Sequence, residues 1–289
     1  MRVGAVFPTT EIGNDPMAIR DFAVAVEELG YHHLVAYDHV LGANADSAAG
    51  RRARYTHRHP FHEPFVLFGY LAAATRDIEL FTGIIVLPQR QTALVAKQAA
   101  EVDVLSGGRL RLGVAVGPNA FEYEALGENF RDRGRRIEEQ IAVLRRLWCE
   151  PLVEFDGDWH RVSDAGLNPL PVQQPIPIFL GGRADAVLRR TASMADGWYA
   201  LDPPGAETEA MVGRLHEYAR EADRDPAAIG IEARIPIAGR PPKSWAADAR
   251  WWRDAGASHV SLHTMDAGFS EVTQHLDALQ RFWTDLGTQ

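Results

Sequence analysis

The chain alternates short apolar runs with longer segments whose apolar residues recur at helical spacing. Some short runs are apolar at nearly every position, as between Leu80 and Leu87, which is typical of strands buried on both faces of a sheet. The predicted strands are residues 2–7, 33–38, 79–87, 109–116, 176–180, 197–200, 229–235 and 258–263. A predicted amphipathic helix follows each of them, so the pattern indicates a parallel sheet built from βα units.

The number of these units favours a closed barrel over an open doubly wound sheet. Repeats of a strand and a helix over 289 residues fit a (β/α)₈ TIM barrel. No Gly-x-Gly-x-x-Gly opens a helix after the first strand, as a Rossmann fold would require. We therefore predict a single α/β domain spanning residues 1–289.

Three segments interrupt the alternation. Residues 41–62 form a long insertion after the second strand, and residues 118–129 extend the loop after the fourth. Residues 153–162 predict a small hairpin before the fifth strand, with Asp156-Gly157 as its turn. Loops that follow strands build the catalytic face of a barrel, so the first two insertions are candidate lids.

Composition limits the class of protein, its binding partners and its cellular compartment. Hydrophobic residues make up 46% and charged residues 24%, as in ordinary globular proteins. A net charge of −9 argues against general nucleic-acid binding, and no apolar run is long enough to cross a membrane. The single cysteine, Cys149, cannot form an intramolecular disulfide, and we expect it to be buried. We expect a cytoplasmic protein.

Candidate catalytic residues lie in the loops after the second and fourth strands. His39 follows Asp38 at the end of the second strand, where it can donate a hydrogen bond or move a proton near neutral pH. The alternative is a loop histidine capped by its aspartate. Glu122 in the fourth loop can reach the barrel mouth as an acid or base, or lie on the surface.

Glycines at strand ends are candidate places for a ligand to approach the backbone. Gly83 interrupts the third strand and marks either a bulge or a packing glycine. Gly181-Gly182-Arg183 opens a helix after the fifth strand, which suits a phosphate but also a simple βα turn. A second glycine-bearing strand end, residues 113–119, lies on the same face.

The first insertion is rich in arginine and histidine. Arg51, Arg52, Arg54 and Arg58 form a basic run in an acidic protein, which is either a solvated loop or an attractor for an acidic ligand. Histidines at 57, 59 and 62 have spacing compatible with a metal. No carboxylate or cysteine pattern supports such a site, so we predict no metal.

Several segments, taken in order, carry a family resemblance. They are Glu-Leu-Gly-Tyr at 28–31, Asp-His at 38–39, Ile-Glu-Leu-Phe-Thr-Gly-Ile-Ile-Val-Leu-Pro-Gln-Arg at 78–90, Leu-Ser-Gly-Gly-Arg-Leu at 105–110, Glu-Ala-Leu-Gly at 124–127, Gly-Gly-Arg at 181–183 and Ala-Asp-Gly-Trp at 195–198. Their order and spacing resemble the bacterial luciferase-like superfamily, and within it the deazaflavin (coenzyme F420)-dependent oxidoreductases. Residues beyond about 203 are less similar.

The resemblance implies hydride transfer between the deazaflavin C5 and a small organic substrate. In it, Gly83 and Ile84 match a bulge, often with a cis peptide, that backs the coenzyme ring, and His39 faces that ring. Adding the sequence-derived candidates, the predicted catalytic residues are Asp38, His39 and Glu122. The predicted coenzyme-binding residues are Thr82, Gly83, Ile84, Val116, Gly117, Pro118, Gly181, Gly182 and Arg183.

Alternatives stay open at this point. An FMN-dependent two-component monooxygenase uses the same barrel, ring plane and phosphate, so the sequence barely separates it from a deazaflavin enzyme. A non-catalytic flavin-binding protein is a further alternative within the superfamily, and a metal-dependent barrel hydrolase is another outside it. The resemblance also implies a homodimer that acts on a small molecule.

Overall fold

A computed structural model describes residues 1–48 and 50–287. Within them, eight parallel strand positions close into a barrel, because the strand at 79–82 pairs with those at 33–36 and 110–115, and the strand at 2–6 pairs with that at 259–263. The strands are β1 (Arg2–Val6), β2 (His33–Ala36), β3 (Glu79–Thr82), β4 (Ile85–Val86), β5 (Leu110–Ala115), β6 (Val153–Asp156), β7 (Arg161–Ala165), β8 (Ile178–Gly181), β9 (Gly197–Ala200), β10 (Gly230–Pro236) and β11 (His259–His263). The predicted (β/α)₈ barrel is confirmed.

Helices surround the barrel and cover its outer face. They are α1 (Pro16–Glu28), α2 (Pro64–Ala74), α3 (Thr92–Ser106), α4 (Ala120–Ala125), α5 (Arg133–Cys149), α6 (Asp185–Met194), α7 (Ala206–Glu221), α8 (Pro242–Asp254) and α9 (Val272–Gly287). Local signals set their ends: the Asp15 side chain accepts a hydrogen bond from the Met17 amide at the start of α1. Gly107 ends α3 in the left-handed region, with φ of 70°. No helix in the described ranges is long and apolar enough to span a membrane.

The interior of the barrel contains a buried polar cluster. His33 on β2 lies 3.0 Å from the Glu232 carboxylate and 2.9 Å from the Ser261 hydroxyl. Arg111 on β5 pairs with Glu232 at 3.0 Å, and its guanidinium lies over the Phe81 ring at 4.0 Å. Burial alone would raise the pKa of Glu232, but His33 and Arg111 lower it to about 2. This polar cluster forms a charged layer in the barrel interior, beneath the mouth of the barrel.

The structure adjusts four sequence expectations. The third predicted strand is broken into β3 and β4 at Gly83-Ile84, whose peptide bond is cis. The hairpin of β6 and β7 is present but extends to Ala165, and the fourth-loop insertion contains α4. The expectation that Cys149 is buried is wrong, because its position at the end of α5 leaves it exposed.

Candidate active site

A pocket of about 160 Å³ lies at the carboxyl ends of the barrel strands. This mouth pocket is lined by residues 37–39 after β2, 54 and 55 of the first insertion, 83, 84 and 86 at the strand break, 117 and 118 after β5, and by Leu201 and Arg234. The structure thus brings His39, Gly83, Ile84, Gly117 and Pro118 together, although the sequence scatters them over three βα units. This is the end of a barrel at which active sites are built.

His39 and Glu122 form a pair at the wall of the mouth pocket. The His39 Nδ1 atom lies 3.3 Å from the Glu122 carboxylate, and the Glu122 side chain is only 1% exposed. Glu122 also accepts hydrogen bonds from the Asn119 side chain at 2.7 Å and from the Val40 amide at 3.1 Å. Burial opposes ionisation of Glu122, but the bonds from His39 and Asn119 outweigh it and lower its pKa. Glu122 is therefore an ionised group that orients the imidazole.

The Asp38 side chain forms hydrogen bonds to the residues that follow the strand break. Its carboxylate accepts a hydrogen bond from the Val86 amide at 3.0 Å and another from Arg90 at 2.7 Å. The Asp38 side chain is 2% exposed, so both oxygens are used by the protein itself. Asp38 lines the mouth pocket, yet these contacts tie β4 to the end of β2.

The strand break presents backbone to the mouth pocket. The Gly83 amide donates to the Ala36 carbonyl at 2.7 Å, and a side chain on Gly83 would collide with Val35. Thr82 precedes the break with its hydroxyl turned to β5, where it exchanges 2.8 Å hydrogen bonds with the Gly113 backbone. The hydroxyl of Thr82 therefore fastens the barrel across the break, while residues 83 and 84 line the mouth pocket.

The end of β5 forms the opposite wall. Gly117 adopts φ of +59°, and a Cβ atom there would lie 2.6 Å from the Val86 Cγ1 atom. Pro118 follows on the wall, while the Val116 carbonyl accepts a 2.6 Å hydrogen bond from the Tyr123 hydroxyl of α4. The glycine thus allows this strand end to pack directly on β4.

Gly181, Gly182 and Arg183 lie beside the mouth pocket and do not line it. A Cβ atom on Gly181 would be 3.1 Å from the Ile84 side chain, so this turn abuts the strand break. The Gly182 carbonyl accepts a 2.8 Å bond from the Trp198 indole. Arg183 is 62% exposed and pairs with Glu207 at 2.7 Å, so its guanidinium is engaged by a carboxylate.

The first insertion folds over the mouth pocket. Tyr55 and Phe61 pack against the His39 ring at centroid distances of 5.6 and 4.7 Å. Arg54 lines the mouth pocket and pairs with Asp266 at 2.6 Å, whereas Arg58 pairs with Asp46 outside it. Within the described ranges, no group of three histidine, cysteine or acidic side chains is arranged to hold a metal.

Comparison with known proteins identifies the family. A model described as luciferase-like monooxygenase matches residues 1–282. The chain belongs to the luciferase-like monooxygenase family. The uncharacterized protein Rv0940c of Mycobacterium tuberculosis is 39% identical over 165 residues, and the match covers 57% of each chain. The chain therefore matches little more than half the length of that relative.

Other luciferase-like relatives use two different coenzymes. The F420-dependent glucose-6-phosphate dehydrogenase of Segniliparus rotundus is 28% identical over 87% of this chain and 73% of its own. The FMNH(2)-dependent dimethylsulfone monooxygenase of Pseudomonas putida is 33% identical over 62% of this chain and 49% of its own. Among solved structures, an F420-dependent secondary alcohol dehydrogenase in complex with an F420-acetone adduct has a TM-score of 0.80 at 18% identity, covering 99% of this chain and 98% of that chain. At that identity the likeness shows the luciferase-like fold alone.

Sequence reasoning missed several residues of this luciferase-like site. Tyr37, Tyr55 and Arg234 line the mouth pocket, and the Tyr199 hydroxyl lies next to Gly83. One signal was present: Arg234 and Glu232 alternate within an otherwise apolar predicted strand, which directs both into the barrel. Charged residues facing a barrel interior near its carboxyl end are candidates for ligand contact.

Proposed function

We propose that this luciferase-like chain is an F420-dependent oxidoreductase that transfers a hydride between the deazaflavin C5 and a small organic substrate. The observation that carries the proposal is the His39–Glu122 pair beside the strand break, in one pocket with Gly83 and Gly117. The F420-dependent relative that matches most of this chain supports the choice of coenzyme.

The residues of the mouth pocket fit a flat ring that lies against the backbone. Gly83, Gly117 and Gly181 let three strand ends pack closely around the break, because side chains there would meet Val35, Val86 and Ile84. When bound, the deazaflavin supplies a ring carbon that accepts or donates a hydride.

The chain's own residues supply orientation and proton handling. With Nδ1 of His39 held by Glu122, Nε2 is the ring nitrogen left to exchange a proton with a substrate oxygen. Glu122 acts as a positioning residue through the imidazole. We keep Asp38 as a catalytic prediction, although its contacts with Val86 and Arg90 support a role in shaping the pocket.

The remaining coenzyme contacts are proposed for the adjoining strand ends. Ile84, Val116 and Pro118 would contact the ring and its side chain through the backbone, next to Thr82. Gly181 and Gly182 would bind the phosphate, and Arg183 would assist by exchanging Glu207 for it. A bound ring and the insertion that carries Tyr55 would together keep water from the reacting atoms.

The acidic tail of the coenzyme offers a further contact for the first insertion. Arg54 lines the mouth pocket, and Arg51, Arg52 and Arg58 lie on the same segment. Arg51 donates to the Asp46 carbonyl and Arg58 pairs with the Asp46 carboxylate, so these contacts would have to open. Replacing all four arginines with serine should weaken F420 binding and reduce its salt dependence; unchanged values for both would contradict this contact.

The first test is a fluorescence titration of the purified protein with oxidised F420 and, separately, with FMN. We expect F420 to bind more tightly. The His39→Asn variant should keep F420 affinity and lose turnover, because it removes the proton-exchanging ring and leaves the backbone cradle. His216→Asn, on α7 outside the mouth pocket, is the matched control and should behave as wild type.

Two outcomes would replace the proposal. A preference for FMN, with oxygen-dependent turnover, would assign the chain to FMN-dependent monooxygenases, which the 33% identical dimethylsulfone enzyme supports. Flavin binding with no turnover on alcohols, aldehydes, imines or enones would favour a non-catalytic flavin-binding protein. A single domain, a homodimer and a cytoplasmic location stay predictions, testable by limited proteolysis, sedimentation and fractionation.

A further inference from the structure

The carboxylates around the mouth pocket all have partners within the protein. Asp38 pairs with Arg90 at 2.7 Å, and Asp266 pairs with Arg54 at 2.6 Å. Glu122 binds His39 and backbone amides, as described above. Glu232, in the layer below, pairs with Arg111 and His33. None of these acids is left over to balance a further cation.

Arg234 is a cation that has no carboxylate partner among the described residues. It projects from β10 into the mouth pocket, where it forms no ion pair with the described residues and has the Tyr37 hydroxyl as its hydrogen-bonding neighbour. Its Nε atom is buried and unpartnered. A largely buried guanidinium without a counter-ion is costly, so proteins rarely retain one unless a ligand supplies the charge.

The groups next to Arg234 are polar and neutral. The hydroxyls of Tyr37 and Tyr199 are buried and lie close enough to Arg234 to interact electrostatically with it. Burial raises the pKa of both phenols, so neither serves as a counter-ion at neutral pH. His263 stacks on the Tyr37 ring at 5.9 Å, and both of its ring nitrogens are unpartnered. The base of the mouth pocket thus presents a cation and two hydroxyl donors.

We propose that Arg234, Tyr37 and Tyr199 bind the carboxylate of a small organic acid, which makes such acids the substrate class of this site. A guanidinium presents two parallel N–H donors that match the two oxygens of a carboxylate. The phenol hydroxyls can donate to the remaining lone pairs. His39 and Arg234 line the same pocket, so an acid held at Arg234 places the rest of its carbon skeleton toward His39. The inference rests on the proposed function, since it assigns the substrate of that same site.

A bound carboxylate has a consequence for stability that an architectural arginine would not have. Without ligand, Arg234 is an uncompensated charge, so Arg234→Met should leave the melting temperature of the free protein unchanged or raise it. An arginine that held the fold together would give the opposite result. The melting temperature also reports whether the variant folds.

The experiment measures binding of formate, acetate, crotonate and benzoate against their neutral amides, by calorimetry, with and without saturating F420. We expect the wild-type protein to prefer at least one acid over its amide by about tenfold or more, the scale of a charge-assisted hydrogen bond. Arg234→Met should abolish that preference and Arg234→Lys should retain part of it. Arg253→Met, an exposed arginine on α8, should preserve it fully.

Three results would overturn the inference. They are equal binding of acids and amides across the whole panel, an acid preference that survives in Arg234→Met, and loss of F420 affinity in Arg234→Met, which would assign Arg234 to the coenzyme. Failure of the proposed function is separate: wild-type protein that binds neither F420 nor FMN would contradict it, while an Arg234-dependent acid preference in the free protein would still support the carboxylate site.

Discussion

Two glycines that flank α4 allow a controlled test of how the mouth pocket is packed. Gly117 and Gly127 both adopt left-handed backbone, with φ of +59° and +72°. They differ in surroundings: a Cβ atom on Gly117 would lie 2.6 Å from Val86 Cγ1, whereas one on Gly127 would meet nothing within 4 Å. Comparing Gly117→Ala with Gly127→Ala therefore separates backbone strain from steric overlap.

The expected magnitudes follow from these surroundings. An alanine in the left-handed region costs about 1–2 kcal/mol, and this applies to both variants. Val86 is only 4% exposed and its branched side chain is stiff, so it cannot move aside freely. Overpacking of this kind adds about 1–3 kcal/mol, which Gly117→Ala alone should show. The effect of alanine on the unfolded chain is the same in both variants and cancels in the difference.

Urea unfolding of the coenzyme-free variants, followed by circular dichroism and by tryptophan fluorescence, measures this difference. We expect the free energy of unfolding to fall about 1–3 kcal/mol further for Gly117→Ala than for Gly127→Ala. An equal fall in the free energy of unfolding for both variants would refute the reasoning, because it would mean that β4 and β5 can move apart without loss of stability. The two probes must give coincident transitions for the free energies to be comparable.

Other predictions concern the same region. Asp38→Asn should lower the free energy of unfolding by about 1.5–3 kcal/mol, because it removes a charged acceptor from Arg90; lost turnover at unchanged stability would instead support a catalytic Asp38. Burial first, and then Arg234 and Arg54, lower the pKa of His263 from its ordinary value of about 6.5 to about 3. Between these two pH values the unfolded chain therefore binds one proton more than the folded chain. The free energy of unfolding should therefore fall as the pH decreases from about 6.5 to about 3. His263→Phe should reduce the slope of this free energy against pH, measured by urea unfolding, by about 1.4 kcal/mol per pH unit; an unchanged slope would contradict a neutral buried His263. Prolonged EDTA treatment should leave coenzyme affinity unchanged, since no set of three metal ligands is present in the described ranges, and a loss restored by added zinc would reverse that expectation.

The sequence by itself determined the architecture and the family. Alternating apolar runs and helical periods gave strand positions within a few residues, because strands buried on both faces leave a strong local signal. Motif order, from Asp38-His39 to Ala195-Asp196-Gly197-Trp198, carried the family that the comparison then confirmed. The positions of Gly83 and Gly117 at strand ends were also readable, since a glycine in such a place indicates close approach of the backbone.

Only the tertiary structure decided which side chains share the pocket and which partners each one has there. Arg234 and Tyr37 are separated by almost two hundred residues, yet the closure of the barrel sets β2 and β10 around one mouth. Glu122 contacts His39 because α4 turns its carboxylate toward the imidazole ring, which no local pattern encodes. The Asp38 carboxylate, by contrast, accepts a hydrogen bond from the Val86 amide at the strand break, and Arg183 turns toward Glu207. Secondary structure follows from neighbours in the chain, whereas partners of charged side chains follow from neighbours in space.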